Sequence, residues 1–102
     1  MLTRIVRMSF KPENVNAFLA LFDQTKDRIR NFHGCLHLEL FKDYHQNNVY
    51  FTYSHWENDR ALEIYRKSDL FREVWQKTKI LFSEKPAAFS MIKVDNQQNT
   101  AI

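Results

Sequence analysis

The chain contains few of the residues that mark special architectures. Among its 102 residues there are one glycine, two prolines and one cysteine. A lone cysteine cannot form a disulfide within the chain, and no cysteine–histidine spacing suggests a zinc site, so no metal site is predicted. No segment approaches the roughly 20 apolar residues of a membrane span. Arginines interrupt the N-terminus where a signal peptide needs an apolar run, so we expect a cytoplasmic protein.

Long blocks of one charge are also lacking. The formal net charge is +3, and acidic residues interleave with basic ones along the chain. A mixed surface of this kind is a weak argument for binding nucleic acid or a membrane. We therefore predict neither as a partner.

Aromatic residues, in contrast, are abundant at 15% of the chain. A domain of this size buries roughly 60–70% of the surface that its unfolded chain exposes. The rings are more numerous than a small core usually needs. Either the core is rich in aromatic residues, or some rings line a cavity or an interface.

Residue patterns predict an α+β fold with the ferredoxin-like order β-α-β-β-α(α)-β and a four-stranded antiparallel sheet. The predicted strands cover residues 2–10, 35–42, 49–56 and 87–94. The predicted helices run from Pro12 to about Asn31 before Gly34, from Asn58 or Asp59 to near Lys67, and from Ser68 to Lys85-Pro86. We predict one domain over residues 1–95 and a loose tail over residues 96–102.

Alternation along the strands divides their side chains between the two faces of the sheet. The set predicted to face the helices is Val6, Met8, Leu36, Leu38, Leu40, Val49, Phe51, Tyr53, Phe89 and Met91. The other set is Ile5, Arg7, Cys35, His37, Glu39, Phe41, Tyr50, Thr52, Ser54, Ile92 and Val94. This second set is too apolar to stay bare across a whole sheet, so we predict that a second copy covers it in a homodimer.

Several short features follow one another in an order typical of one family. They are Gly34-Cys35 at the start of strand two, Trp56 closing strand three, the Ala61-Leu62 helix, Ser68 with Phe71, and Lys85-Pro86 before the last strand. Together they resemble the antibiotic biosynthesis monooxygenase family of dimeric α+β barrels, over residues 2–95.

The resemblance implies a homodimer whose sheets pack face to face, with a pocket between sheet and helices in each subunit. It also implies oxidation of a small quinol-like or polyphenol-like aromatic ligand by dioxygen, with no metal, flavin or other cofactor. The protein then supplies a dry pocket, orientation and a proton acceptor. Many members carry a histidine in the second helix where this chain has Tyr65, and a tyrosine with a pKa of about 10 is a poor base at neutral pH.

Six residues are candidates for the site. The predicted catalytic groups are Tyr65, whose hydroxyl can bind a phenolic substrate, and His55, which can transfer protons near neutral pH. The predicted substrate-binding residues are Phe51, Tyr53, Phe71 and Trp75. Each has a plainer interpretation, as a packing residue or, for His55, as an exposed side chain.

Other functions share this element order. A haem-degrading branch of the superfamily uses Asn, Trp and His where this chain has Val6, Tyr65 and Trp75, so haem degradation is not expected. RNA-recognition modules place rings on a central strand, as Tyr50, Phe51 and Tyr53 would, but their glycine-containing motif is absent. The carboxylate and histidine constellation of a sugar mutarotase is not evident. The main alternative is a non-catalytic, or differently catalytic, ligand-binding dimer of the same fold.

Overall fold

The chain alternates strands and helices in the predicted order. The computed structural model describes residues 1–95, and the tail predicted over residues 96–102 lies outside them. The strands are β1 (Leu2–Ser9), β2 (Cys35–Lys42), β3 (Val49–Trp56) and β4 (Ala87–Met91). The helices are α1 (Val15–Arg30), α2 (Asp59–Arg66) and α3 (Asp69–Lys79), and a short 3₁₀ turn over Pro12–Asn14 leads into α1. The predicted ferredoxin-like α+β fold is confirmed.

The four strands form one antiparallel sheet in the order β2-β3-β1-β4. Strand β1 is therefore central, with Ile5 opposite Tyr53 on one side and Phe89 on the other. The helices pack on one face, where the buried hydrophobic sheet residues are Leu2, Met8, Leu38, Tyr50 and Trp56. We call the other side of the sheet the open face. None of the helices within residues 1–95 combines the length and apolar character needed to cross a membrane.

Capping residues explain where α2 and α3 begin. Asn58 Oδ1 accepts a hydrogen bond from the Ala61 backbone N–H at 2.8 Å, and Ser68 Oγ accepts one from Phe71 at 3.1 Å. Each satisfies a donor that the first helical turn leaves unpaired. Both predicted helix starts are confirmed by these bonds.

Two boundaries near the C-terminus were predicted too late in the chain. Helix α3 ends at Lys79 rather than at Lys85-Pro86, because Phe82 pairs with Phe10 in a β-bridge that returns the chain to the sheet. Strand β4 ends at Met91 rather than at residue 94 because β1, with which it pairs, has nearly reached its own first residue there.

The face prediction for β3 was wrong. Trp56 is only 2% exposed, and its burial against the helices fixes the orientation of every second residue before it. Ser54, Thr52 and Tyr50 therefore face the helices, although they were predicted on the open face. Tyr50 packs against the Phe18 ring at a centroid distance of 5.7 Å.

Parts of the β2 and β4 predictions were wrong for related reasons. An irregularity in the pairing between Cys35 and His37 turns Leu36 outward, where it is 52% exposed, while Cys35 packs on the core. On β4, Phe89 lies opposite Ile5 and so belongs to the open face, as does Met91. The prediction holds on β1, where Met8 is buried in the core.

Gly34 lies where the turn after α1 meets helix α2. Its φ of 91° is in the region that side chains disfavour. A Cβ at this position would stand 2.6 Å from the Cβ of Ala61, closer than two carbons can approach without a shift. Its carbonyl also accepts a hydrogen bond from the Glu57 N–H at 3.0 Å. The turn, the end of β3 and helix α2 are therefore held together at the chain's one glycine.

We predict that Gly34→Ala lowers the free energy of unfolding by about 2–4 kcal/mol, because it adds backbone strain to a steric clash. Urea denaturation followed by circular dichroism measures the loss. Ala61→Gly should relieve the steric part, so the double variant should lose less than the sum of the two single losses. A Gly34→Ala protein as stable as the native one would contradict the close approach.

Candidate functional site

A cavity of about 270 Å³ lies between the helices and the sheet. Strands and helices from both layers contribute to it. Its apolar wall includes Val6, Met8, Phe18, Phe22, Leu38, Trp56, Leu62, Phe71, Val74 and Trp75. The volume is close to the lower end of the range of about 300–1,000 Å³ seen for small-molecule sites, so a ligand of one or two rings is the right size.

A continuous series of aromatic rings forms one side of the cavity. Tyr65 stacks on Trp56 with ring centroids 4.8 Å apart, and the edge contact from Tyr65 to Phe71 is 5.2 Å. Phe71 in turn stacks on Trp75 at 5.7 Å. Three of the six predicted site residues, Tyr65, Phe71 and Trp75, are thus brought together on the cavity wall by α2 and α3.

Tyr65 has a buried hydroxyl group that forms no hydrogen bond with the described part of the chain. It is 9% exposed, and burial, followed by the effect of the nearby Cys35 thiol, raises the pKa of Tyr65 well above its usual value. Its hydroxyl joins no hydrogen bond among residues 1–95, and no side-chain polar atom there is both sealed from solvent and unpartnered. At neutral pH Tyr65 is therefore a neutral hydrogen-bond donor, not a base.

The other hydroxyls on the cavity wall are mostly committed to the fold. Thr25 and Thr78 donate to backbone carbonyls of their own helices at 2.8 and 2.7 Å. Ser54 accepts a bond from the Trp56 indole at 3.1 Å. Thr52 also lines the cavity, and its hydroxyl has no hydrogen-bond partner within the described chain. Thr52 and Tyr65 are thus the hydroxyls left to a ligand.

Two arginines are the charged side chains on the cavity wall, which has no histidine and no carboxylate among residues 1–95. Arg4 Nη1 donates to Ser90 Oγ at 2.9 Å. Arg66 pairs with Glu63 at 3.1 Å. Burial lowers the pKa of Arg4 most strongly, the charge of Arg66 lowers it further, and Glu63 acts in the opposite direction. The Arg4 guanidinium nevertheless stays protonated, as arginine does in proteins.

The other three predicted residues lie elsewhere. Phe51, Tyr53 and His55 are on the open face, opposite Arg7, Ile5 and Thr3 respectively. Their predicted location beside the helix–sheet pocket is therefore wrong, because the burial of Trp56 turns the other face of β3 toward the helices.

On the open face, these residues belong to a cluster that we name the histidine cluster: Tyr53, His55, His37 and Glu39. The Tyr53 and His55 rings are 4.8 Å apart, and His37 Nε2 lies 2.6 Å from Glu39 Oε1. The Thr3 hydroxyl is 3.1 Å from His55 Nδ1. Burial lowers the pKa of His55, as do the charges of His37 and Lys93, and Glu39 opposes them.

Sequence reasoning missed Arg4 and Thr52 as cavity residues. Arg4 carried a usable signal, since it stands at the core-facing spacing between Leu2 and Val6 on β1. A cation at such a position is unusual unless something binds it. Thr52 was missed because its face was assigned wrongly.

Comparison with known proteins gives the following likenesses. The family model described as antibiotic biosynthesis monooxygenase matches residues 1–77. An uncharacterised protein of Synechocystis sp. is 26% identical over 88 residues, which are 86% of this chain and 59% of that protein. The chain thus spans less than two thirds of the length of this curated relative.

Solved structures show the same fold. The crystal structure of an antibiotic biosynthesis monooxygenase matches with a TM-score of 0.87 and 22% identity, covering 93% of this chain and 100% of the other. A conserved protein from Methanosarcina mazei matches with a TM-score of 0.85 and 18% identity, covering 91% and 93%. At these identities the likeness concerns the fold alone.

The environment of Tyr65 predicts a loss of stability at high pH. Because its pKa in the folded state is raised, the folded chain keeps a proton that the unfolded chain releases above the usual value of 10.0. The free energy of unfolding should therefore fall above pH 10.0 by up to about 1.4 kcal/mol per pH unit for this one proton. Tyr65→Phe should remove that part of the slope.

Urea denaturation at intervals from about pH 9 to about pH 11 measures the effect. Tyr44→Phe is the matched control, because Tyr44 is 90% exposed, and it should follow the native curve. If the native and Tyr65→Phe curves run parallel, the tyrosine is not buried as described.

Proposed function

The chain belongs to the antibiotic biosynthesis monooxygenase family, and on that premise we propose that it oxidises a small quinol-like or polyphenol-like aromatic with dioxygen, without a cofactor. The observation that carries the proposal is the ring-lined cavity, where Tyr65, Phe71 and Trp75 meet. Its walls suit a flat aromatic ligand, and its two uncommitted hydroxyls, on Thr52 and Tyr65, suit phenolic oxygens.

In the proposed reaction the substrate supplies all the electrons. It loses two hydrogen atoms and gains one oxygen atom from dioxygen, while the other oxygen atom leaves as water with those hydrogens. No outside reductant is needed, because the electron-rich ring is itself the reductant. The reaction therefore depends on the ionised phenolic form of the substrate, which gives up electrons most readily.

The proposed roles follow from the cavity wall. Tyr65 donates a hydrogen bond to the phenolic oxygen, and Phe71 and Trp75 hold the ring and keep water out. Since no histidine or carboxylate of residues 1–95 lines the cavity, the substrate in this scheme gives up its phenolic proton to bulk water before it enters, and it binds as the phenolate. His55 lies across the sheet and is proposed to act at the open face instead.

We also propose that the open face pairs with a second copy. It exposes large apolar side chains, with Phe41 49%, Phe89 55% and Met91 43% exposed. Apolar area of this extent on one sheet face is typical of an interface. The histidine cluster would then be covered by the partner subunit.

Cys35, free and without an intrachain partner, is compatible with the proposed cytoplasmic location.

One observation favours a second candidate, a ligand-binding dimer without this catalytic activity. The cavity wall formed by residues 1–95 offers no group able to accept a proton at neutral pH. Such a protein would bind the same aromatic ligands and leave them unchanged. Oxygen uptake separates the two candidates.

We predict that the native protein, stripped of metal by chelation, consumes oxygen with at least one member of a panel of hydroquinones. Tyr65→Phe should lower kcat/KM by about 3–10-fold, the usual worth of a neutral hydrogen bond. Trp75→Phe should lower it as well, because it loosens the ring contact. An oxygen electrode gives the rates, and the exposed Tyr44→Phe variant should match the native protein.

If no hydroquinone is consumed but ligands still bind, the second candidate is favoured. If both Tyr65→Phe and Trp75→Phe bind and turn over a substrate as the native protein does, the cavity is not the site.

We predict a dimer at micromolar concentration, with twice the chain mass of 12.4 kDa, in analytical ultracentrifugation. Phe89→Lys should shift it toward monomer, because it places a cation in the proposed apolar interface. Ile80→Lys is the control, since Ile80 is 72% exposed at the end of α3, away from the open face. A native protein that sediments as a single chain would contradict the pairing.

A further inference from the structure

Arg4 is a cation among core residues. It lies on the helix-facing side of β1 between Leu2 and Val6, is half-buried, and lines the cavity. A guanidinium that loses part of its water needs other partners to replace it.

The fold supplies Arg4 with only one hydrogen bond from its side chain within residues 1–95. Nη1 donates to Ser90 Oγ at 2.9 Å. An ion pair requires a carboxylate oxygen within 4.0 Å of the guanidinium, and no carboxylate among residues 1–95 lies that close to Arg4. Glu63, whose charge does reach it, is already paired with Arg66 at 3.1 Å and with Lys67 at 3.8 Å.

Most other arginines do have a carboxylate. Ion pairs hold Arg7, Arg28, Arg30, Arg66 and Arg72. Arg60 has no such pair in the described chain, but it is exposed and solvated. Arg4 is therefore distinguished by being both half-buried and without an anionic partner among residues 1–95.

The surrounding charge adds to this imbalance. Arg66 also lines the cavity, and its positive charge lowers the pKa of Arg4, after the larger effect of burial. Like charges in one site repel each other, and an anion placed between them relieves the repulsion. Glu63 acts on three cations at once: its charge reaches Arg4, and it is paired with Arg66 and Lys67. The cavity is thus apolar along most of its wall and positive near the two arginines.

We propose that the cavity selects an aromatic ligand that carries an anionic oxygen, a carboxylate or a phenolate, and that Arg4 binds this oxygen while the aromatic wall holds the ring. The proposal rests on the cavity of the proposed function being the ligand site, and it adds the class of ligand. A carboxylate can accept two parallel hydrogen bonds from one guanidinium, one at each oxygen, and a phenolate oxygen can accept a charge-assisted bond from the same group. In a substrate that is a phenol, the same contact favours the ionised form.

The test uses two probes with the same ring system, the anionic naphthoate and the neutral naphthalenemethanol. Their affinities are measured by calorimetry and by quenching of tryptophan fluorescence, since Trp75 lines the cavity. The native protein should bind naphthoate more tightly. Arg4→Met should weaken naphthoate binding by about 10–100-fold, the worth of a charge-assisted hydrogen bond, and change naphthalenemethanol binding less than twofold.

Two further variants make the result specific. Arg60→Met removes the same charge from an exposed site outside the cavity wall, and it should bind both probes as the native protein does. Arg4→Lys keeps the charge without the planar fork, and its naphthoate affinity should fall between those of the native protein and Arg4→Met. Thermal unfolding of each variant checks that the fold is intact.

Three results would overturn the proposal. The native protein could bind both probes with equal affinity, Arg4→Met could lose affinity for both probes equally, or naphthoate could fail to bind at millimolar concentration. These results are independent of turnover. A protein that binds naphthoate through Arg4 but consumes no oxygen with any hydroquinone refutes the monooxygenase proposal and leaves the ligand class standing.

Discussion

The burial of one indole ring, that of Trp56, decides how the rest of the molecule is arranged. At 2% exposure it cannot turn outward without exposing one of the largest apolar side chains of the chain. Its Nε1 donates to Ser54 Oγ at 3.1 Å, and Tyr65 stacks on it at 4.8 Å. Because side chains alternate along a strand, this one ring sets which side of β3 meets the helices and which side forms the open face.

The cavity follows from the same constraint. Tyr65 of α2 stacks on Trp56 and contacts Phe71 of α3. The orientation of β3 therefore also determines where both short helices pack. Helix α2 is held close to the sheet where Ala61 meets Gly34. The result is an aromatic wall on one side of the cavity and the sheet residues Arg4 and Thr52 on the other. The contacts among these aromatic rings thus separate the helices from the sheet and leave a cavity inside a small chain.

The element order, the helix caps and the glycine turn could be predicted from sequence because each depends on local chemistry. Asn58 and Ser68 cap helices whatever those helices pack against. The faces of β3 could not be predicted, since alternation favours the apolar set Val49, Phe51 and Tyr53 as the core side. The helices instead cover the face that carries the polar Thr52 and Ser54, because Trp56 lies on it. Half of the candidate site, Tyr65, Phe71 and Trp75, lies on helices and was located correctly. The other half depended on β3 and was placed on the wrong side of the sheet.

In the proposed arrangement the helix–sheet cavity is the ligand site and Arg4 is its polar anchor. The most direct measurement is a crystal structure of the chain grown with an aromatic carboxylate such as naphthoate. The ring should lie beside Tyr65 and Trp75, with the carboxylate within hydrogen-bond distance of the Arg4 guanidinium. A ligand found on the open face, or in the cavity with its carboxylate turned away from Arg4, would contradict it.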